Sequence, residues 1–196
     1  MAMPIARKIS SRSKLLKAAE DLMRESGYAA VTSRQVAARA GLKPQLVHYY
    51  FHTMDDLFLA VHKEFASGIL ERLKAIVDSS RPLTELWKFT TEARGVLLNE
   101  FVALANHRKA IRHAIAEAGN EFRRVQIAII RRAVAKKTIK ELPWSASFTA
   151  ILLNSLSRGL SVESEVGMTE GHAEACKLIE QYIEQFEQRS GRNSGG

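Results

Sequence analysis

The chain has 196 residues and a net charge of +8, enough length to bury a real core in one large or two small domains. Its single cysteine, Cys176, excludes an intrachain disulfide and suits a reducing cytoplasm, and no apolar run approaches a membrane span. The charge is concentrated at one end: residues 1–52 hold nine Lys or Arg against three acids, while the remaining 144 residues carry only +2. That density suits an anionic surface, with nucleic acid the leading candidate.

Residues 1 to about 11 are basic and Ser-rich without the apolar segment of a secretory signal, and read as a mobile arm able to touch DNA. A first helix is expected over 12–26, with Leu15, Leu16, Ala19, Leu22 and Met23 on one face and Gly27 as its stop. Tyr28 to Val31 should pack beneath the segment that follows. There, Thr32 caps a short helix, with Gln35 reaching back as in a capping box, and Val36, Ala37 and Ala40 form its apolar face. Gly41 ends that helix in the left-handed conformation. Leu42 plugs the gap, and Pro44 fits the first turn of a second short helix, where its missing N–H is not needed. Val47, Tyr50 and Phe51 are expected inward, and Lys43, Gln45, His48 and Tyr49 outward. A short helix presenting those four side chains suits a major groove, because they donate to phosphates and base edges.

Thr53 caps a long helix with Asp55 and Asp56 in its first turn, where negative charge suits the helix dipole. Its apolar face runs through Leu57, Val61, Phe65, Ile69, Leu73 and Ile76, and it is expected to end near 78–80 and to link both parts of the protein. After the Arg81-Pro82 break, helices are expected over 83–105, 107–117 and, beyond Gly119-Asn120, 121–137. Leu142-Pro143 precedes a helix over 144–165, Gly167 ends it, and Thr169 caps a last helix carrying Cys176, Ile179, Tyr182, Ile183 and Phe186. The reading is all-α, with about nine helices and no strand. It divides into an arm and DNA-binding domain over 1–53, a helical ligand-binding and dimerisation domain over 54–188, and a disordered tail over 189–196.

The stretch from about Leu15 to Phe65 resembles the TetR/AcrR family of one-component transcriptional regulators. The resemblance lies in the alanine-rich first helix, the Thr-x-x-x-Val-Ala-x-x-Ala-Gly segment, the aromatic end Tyr49-Tyr50-Phe51, and Thr53 to Phe58. Two positions depart from the family pattern: Lys43 stands where Ser or Thr is usual, and Met54 where Lys is usual, which removes a phosphate contact at 54. The resemblance implies a homodimeric, ligand-responsive repressor in the cytoplasm that binds a palindromic double-stranded operator. Thr32, Ser33, Arg34, Lys43, Pro44, Gln45, His48, Tyr49 and Thr53 would then meet DNA, with Pro44 against a thymine methyl and Thr53 on phosphate.

The helical remainder offers two further surfaces. At 3.6 residues per turn, Thr90 and Arg94 fall on the face set by Leu86, Trp87, Leu97 and Phe101; Gln126 falls beside Phe122 and Ile129, and His107 beside Ile111. Trp87, Thr90, Arg94, Phe101, His107, Phe122 and Gln126 are therefore expected to line a site for an amphipathic effector, a carboxylate or acyl compound. Against this stands an internal salt bridge from Arg94 to Glu100 or Glu117. A dimer interface is expected on the last two long helices, through Phe148, Leu152, Ser155, Gly159, Ile179, Ile183 and Phe186, with the small residues allowing close helix approach. The seven bases between Arg123 and Lys140 read as a solvated outer face, with an anionic ligand as the alternative. No catalytic constellation is present, and His48 and His52 lack a third ligand, so neither an enzyme nor a metal or cofactor is expected. The alternatives are a non-specific DNA-organising protein and a helical enzyme on an apolar substrate.

Overall fold

Side-chain caps set where the N-terminal helices begin. The computed structural model describes residues 10–91 and 95–187. Helix α1, Ser11–Ser26, starts where Ser10 Oγ accepts the Ser13 N–H at 3.2 Å. It buries Leu15, Leu16, Ala18, Ala19 and Met23, and a 3-10 turn over Tyr28–Ala30 follows Gly27. Helix α2, Ser33–Ala40, begins at Thr32, whose Oγ1 accepts the Gln35 N–H at 3.3 Å. Gly41 closes it at φ +65°, a left-handed conformation that glycine adopts without steric cost. Helix α3, Pro44–Tyr50, has proline in its first turn. Helix α4, Met54–Lys74, begins with a reciprocal cap: Thr53 Oγ1 accepts the Asp56 N–H at 3.1 Å, and Asp56 Oδ2 accepts the Thr53 N–H at 2.9 Å. A 3-10 turn over Ala75–Asp78 extends it.

The remaining helices are α5, Pro82–Thr91; α6, Gly95–His107; α7, Lys109–Ala135; α8, Ala146–Glu165; and α9, His172–Glu187. These nine helices and two short 3-10 turns are all the regular structure among the described residues, and no strand occurs there. The chain forms two compact units. Among the described residues, one comprises 10–65 with Glu100–Ile115; the other comprises 66–91 and 95–99 with 116–187.

In the first unit, Leu15, Leu16, Met23, Val36, Val47, Phe51, Leu57, Phe58 and Val61 are joined in burial by Phe101, Leu104 and Ile111. Glu100 Oε2 accepts the Tyr28 N–H at 2.7 Å, and the His62 ring meets Phe101 edge-on, centroids 5.1 Å apart. Burial pushes the His62 imidazole below its ordinary pKa. The second unit is built on Leu73, Leu83, Leu86, Trp87, Phe89, Ile129, Ile130, Ala150, Leu153 and Ile183. Its α5 is capped from a distance. The buried Glu187 carboxylate accepts the Leu83 N–H at 2.6 Å, the Thr84 N–H at 3.2 Å and the Thr84 hydroxyl, and Arg81 Nε lies 3.5 Å from it.

Several expectations are corrected. No break occurs at Gly119-Asn120, and α7 runs unbroken across them. A helical glycine costs only about 1 kcal/mol, which the flanking helix formers and buried Ile111, Ile129 and Ile130 outweigh. The last helix starts at His172 rather than at a Thr169 cap, because Gly171, at φ +79°, turns the chain immediately before it. Tyr50 does not point inward; it stands 36 % exposed, leaving Val47 and Phe51 as the buried face. The 83–105 span contains α5 and α6, with 92–94 between them outside the described residues.

Candidate nucleic-acid interface and associated surfaces

The α2–turn–α3 segment presents one polar face. Val47 and Phe51 anchor α3 from within, at 1 % and 4 % exposure. The opposite side therefore turns Lys43, Pro44, Gln45, His48 and Tyr49 to solvent, Tyr49 by 74 %. The Tyr49 ring is braced edge-on by Tyr50, centroids 5.0 Å apart. From α2, Arg34 and Thr32 are exposed and Ser33 is half-buried. The Thr32 hydroxyl is engaged with Gln35, and the Thr53 N–H and hydroxyl both donate to Asp56 Oδ2. Thr53 thus has its donors committed beside a carboxylate, a poor setting for the phosphate contact expected of it.

Ion pairing thins the apparent charge. Arg12 pairs with Glu64 at 3.7 Å and lies over the Phe51 ring. Lys17 pairs with Asp21 at 2.8 Å, Arg24 with Glu20 at 2.9 Å, and Arg39 with Glu25. The Asp21 hydrogen bond raises the Lys17 pKa. Lys14, Arg34 and Lys43 have no acidic partner among the described residues, and they are the cations left for an external anion. His52 lies past the end of α3, so His48 and His52 do not share a helix.

The effector residues expected from spacing fall into two groups. Trp87, Thr90, Phe122 and Gln126 belong to one unit, and Phe101 and His107 to the other. Trp87 is buried in its core. Thr90 Oγ1 donates to the Trp87 carbonyl, and its own carbonyl accepts from Ser157 Oγ at 2.9 Å. Phe122 stacks on Phe89. Gln126 is buried, with Oε1 accepting from Asn154 Nδ2 at 2.6 Å. His107 does not face inward: it is exposed at the end of α6, where the helical count no longer applies. Arg94 lies outside the described residues, and Glu100 is engaged by Tyr28.

On α8 and α9 the structure exposes more apolar surface than spacing implied. Phe148, Ile151, Leu156 and Val162 on α8, with Leu178 and Tyr182 on α9, are 39–57 % exposed, and Trp144 joins them just before α8. Leu152, Ser155 and Gly159 lie on the same stripe of α8. Between the two helices runs an apolar groove of about 490 Å³, reached past Trp144, Leu156, Leu178 and Tyr182. Three residues expected at this surface pack against the chain's own interior. Ile183 is only 4 % exposed, and Ile179 packs half-buried against the same core, as does Phe186. Spacing alone does not predict the exposure of Ile151, Leu156, Leu178 and Tyr182, because both helices carry apolar residues on two sides and the fold decides which side the core claims.

Residues 15–61 match the model of the bacterial regulatory proteins of the TetR family. The chain carries a TetR-family DNA-binding domain. The fold of the whole chain is that of solved TetR-family regulators. A TetR transcription regulator from Haloarcula marismortui superposes with a TM-score of 0.74 at 19 % identity, covering 90 % of this chain and 97 % of that one. A transcriptional regulator from Saccharomonospora viridis, solved in complex with choline, gives 0.74 at 18 % identity, covering 92 % and 96 %. Reduced NemR from E. coli gives 0.75 at 13 % identity, covering 88 % and 97 %. Among curated proteins, none matches this chain. Within the matched segment, α2 and α3 form the helix-turn-helix, and no helix among the described residues is long and apolar enough to cross a membrane.

Proposed function

We propose that this TetR-family protein is a homodimeric repressor that reads a palindromic operator through α3 and releases it on binding a small amphipathic molecule. The observation that carries this reading is the pairing of an outward polar face on α3 with a large unpaired apolar face on α8 and α9. One seven-residue recognition helix is too small a reader for a useful site. A second copy, brought by the apolar face, doubles the contact and imposes two-fold symmetry on the operator. An apolar patch this extended, rimmed by polar residues, marks an association surface. Gln45 and His48 are the base-reading side chains, and Lys43 and Arg34 serve phosphate.

Release follows from linkage. An effector that favours a dimer with wrongly spaced recognition helices weakens operator binding by the same factor by which DNA weakens effector binding. The S. viridis regulator of this fold holds choline, which supports small-molecule binding in the present chain. The deciding experiment pairs sedimentation with binding to genomic fragments and to random DNA at matched salt. A dimer with a discriminated fragment is expected. A monomer, or equal affinity for every fragment, refutes the reading, and the second result makes the chain a non-specific DNA binder.

A further inference from the structure

Among the described residues, two buried side-chain nitrogens lack a hydrogen-bond partner: Nη1 of Arg123 and Nε2 of Gln126. Both lie on α7, three residues apart, which places them as neighbours on one helix face. Gln126 is 1 % exposed, and its orientation is dictated by Asn154. The two Asn154 Nδ2 protons go to the Ala150 carbonyl at 2.8 Å and to Gln126 Oε1 at 2.6 Å. Turning the Gln126 amide over would set donor against donor. Its Nε2 is therefore fixed as a donor with nothing to donate to, an arrangement that folded proteins avoid.

Arg123 makes the case electrostatic. Its side chain is half-buried, and no acid pairs with it among the described residues. Desolvation pushes its guanidinium below the ordinary arginine range. A desolvated cation without a counter-charge is costly, and a bound anion removes the cost. The surroundings on α7 are apolar: Phe122, stacked on Phe89, with Ile129 and Ile130. Gly119, one turn before Arg123 on the same stripe, has open space where a side chain would stand. The face thus runs from solvent at Gly119, past Arg123, to the buried amide of Gln126.

We propose that this face of α7 holds the carboxylate of an effector with an apolar body, Arg123 and Gln126 each donating to one of its two oxygens. This rests on the ligand-responsive reading above and names the chemistry of the ligand. Two orphaned donors match a two-oxygen anion. A cation would face Arg123, and an alcohol would leave the guanidinium uncompensated.

The test is calorimetry on the full chain without DNA, using decanoate, decanol, decylamine and decyl phosphate as probes. Decanoate is expected to bind about 30-fold or more tighter than decanol, the fold-change typical of a desolvated charge pair. Arg123→Met should erase that preference, and Gln126→Leu should weaken decanoate alone. Equal affinity for decanoate and decanol overturns the proposal, as does a preference for decyl phosphate or decylamine. Without ligand, Arg123→Met should melt at or above the wild-type temperature, since an unpaired, half-buried cation has been replaced by an apolar side chain. A clear fall would expose a structural partner for Arg123 and refute the assignment. Because no DNA is present, selective decanoate binding by a chain that fails to bind an operator would refute the repressor reading alone.

Discussion

Replacing Glu187 with alanine removes the carboxylate that α9 places over the first turn of α5. The Leu83 N–H, buried and bonded to Oε1 at 2.6 Å, is left without an acceptor, which costs about 1–3 kcal/mol. Loss of negative charge at a helix N-terminus adds about 0.3–1 kcal/mol. The Thr84 N–H and hydroxyl are half-buried and recover water, and half-exposed Arg81 contributes little. The sum is about 1.3–4 kcal/mol. At about 2–4 °C per kcal/mol for a chain of this length, the melting temperature should fall by about 3–16 °C. Thermal unfolding followed by circular dichroism measures this directly. Glu187→Gln, which keeps one acceptor oxygen without the charge, should lose roughly half as much by the same estimate. A fall below about 2 °C for the alanine variant, or equal falls for both, would refute the idea that this carboxylate acts as the remote cap of α5.

Gln45→Ala should relax sequence preference by about 1–3 kcal/mol at one position of each half-site, whereas Lys43→Ala should weaken all sequences alike and shallow the salt dependence; titrations against an operator and its single-base variants separate the two. Leu178→Asp should raise the dimer dissociation constant by about 30-fold or more in sedimentation and lose operator binding with it, while Ile183→Asp should unfold the helical unit instead. His62 gives stability a pH dependence. Its folded pKa lies below the ordinary 6.5, so in acid the unfolded chain takes up a proton that the folded chain refuses. This contribution is therefore fully present well above pH 6.5 and is lost as pH falls through 6.5 toward the lower folded pKa. The denaturant midpoint of His62→Leu should lack this component between pH 7.5 and 5.5, and an unchanged profile would show that His62 is not its source.

What was legible in the sequence was local. The Thr32 cap, the left-handed Gly41 and Pro44 in the first turn of α3 each depend on residues within one turn, and all three stand as read. Failures came where distant parts of the chain decide. Glu187 looks like one more solvated acid at the end of an amphipathic helix, and only the fold brings it to Leu83, 104 positions away. Ile183 and Leu178 are equally apolar, but the neighbours of α9 bury the first and leave the second 57 % exposed. Arg123 was read as one base of an outward run, since charge count ignores the half-burial that sets it apart from exposed Arg124, Arg131 and Arg132. Gly119-Asn120 misled in the opposite direction: a local breaker signal gave way to a helix held by isoleucines on either side.

The unit that carries the recognition helix is discontinuous in sequence. Residues 100–115 return to it after an excursion of more than thirty residues, delivering Phe101 to His62 and Phe65, Glu100 to Tyr28, and Arg108 to Asp55. The reading head is therefore not a cassette. A chimera that joins the N-terminal helices of this chain to the body of another regulator would strip Phe101 from the His62 and Phe65 rings unless the graft brought its own equivalent of 100–115. Recombination has the same constraint. If α3 reads an operator as proposed, new specificity is reached more readily by exchanging its exposed side chains, which the scaffold beneath does not use, than by exchanging the domain.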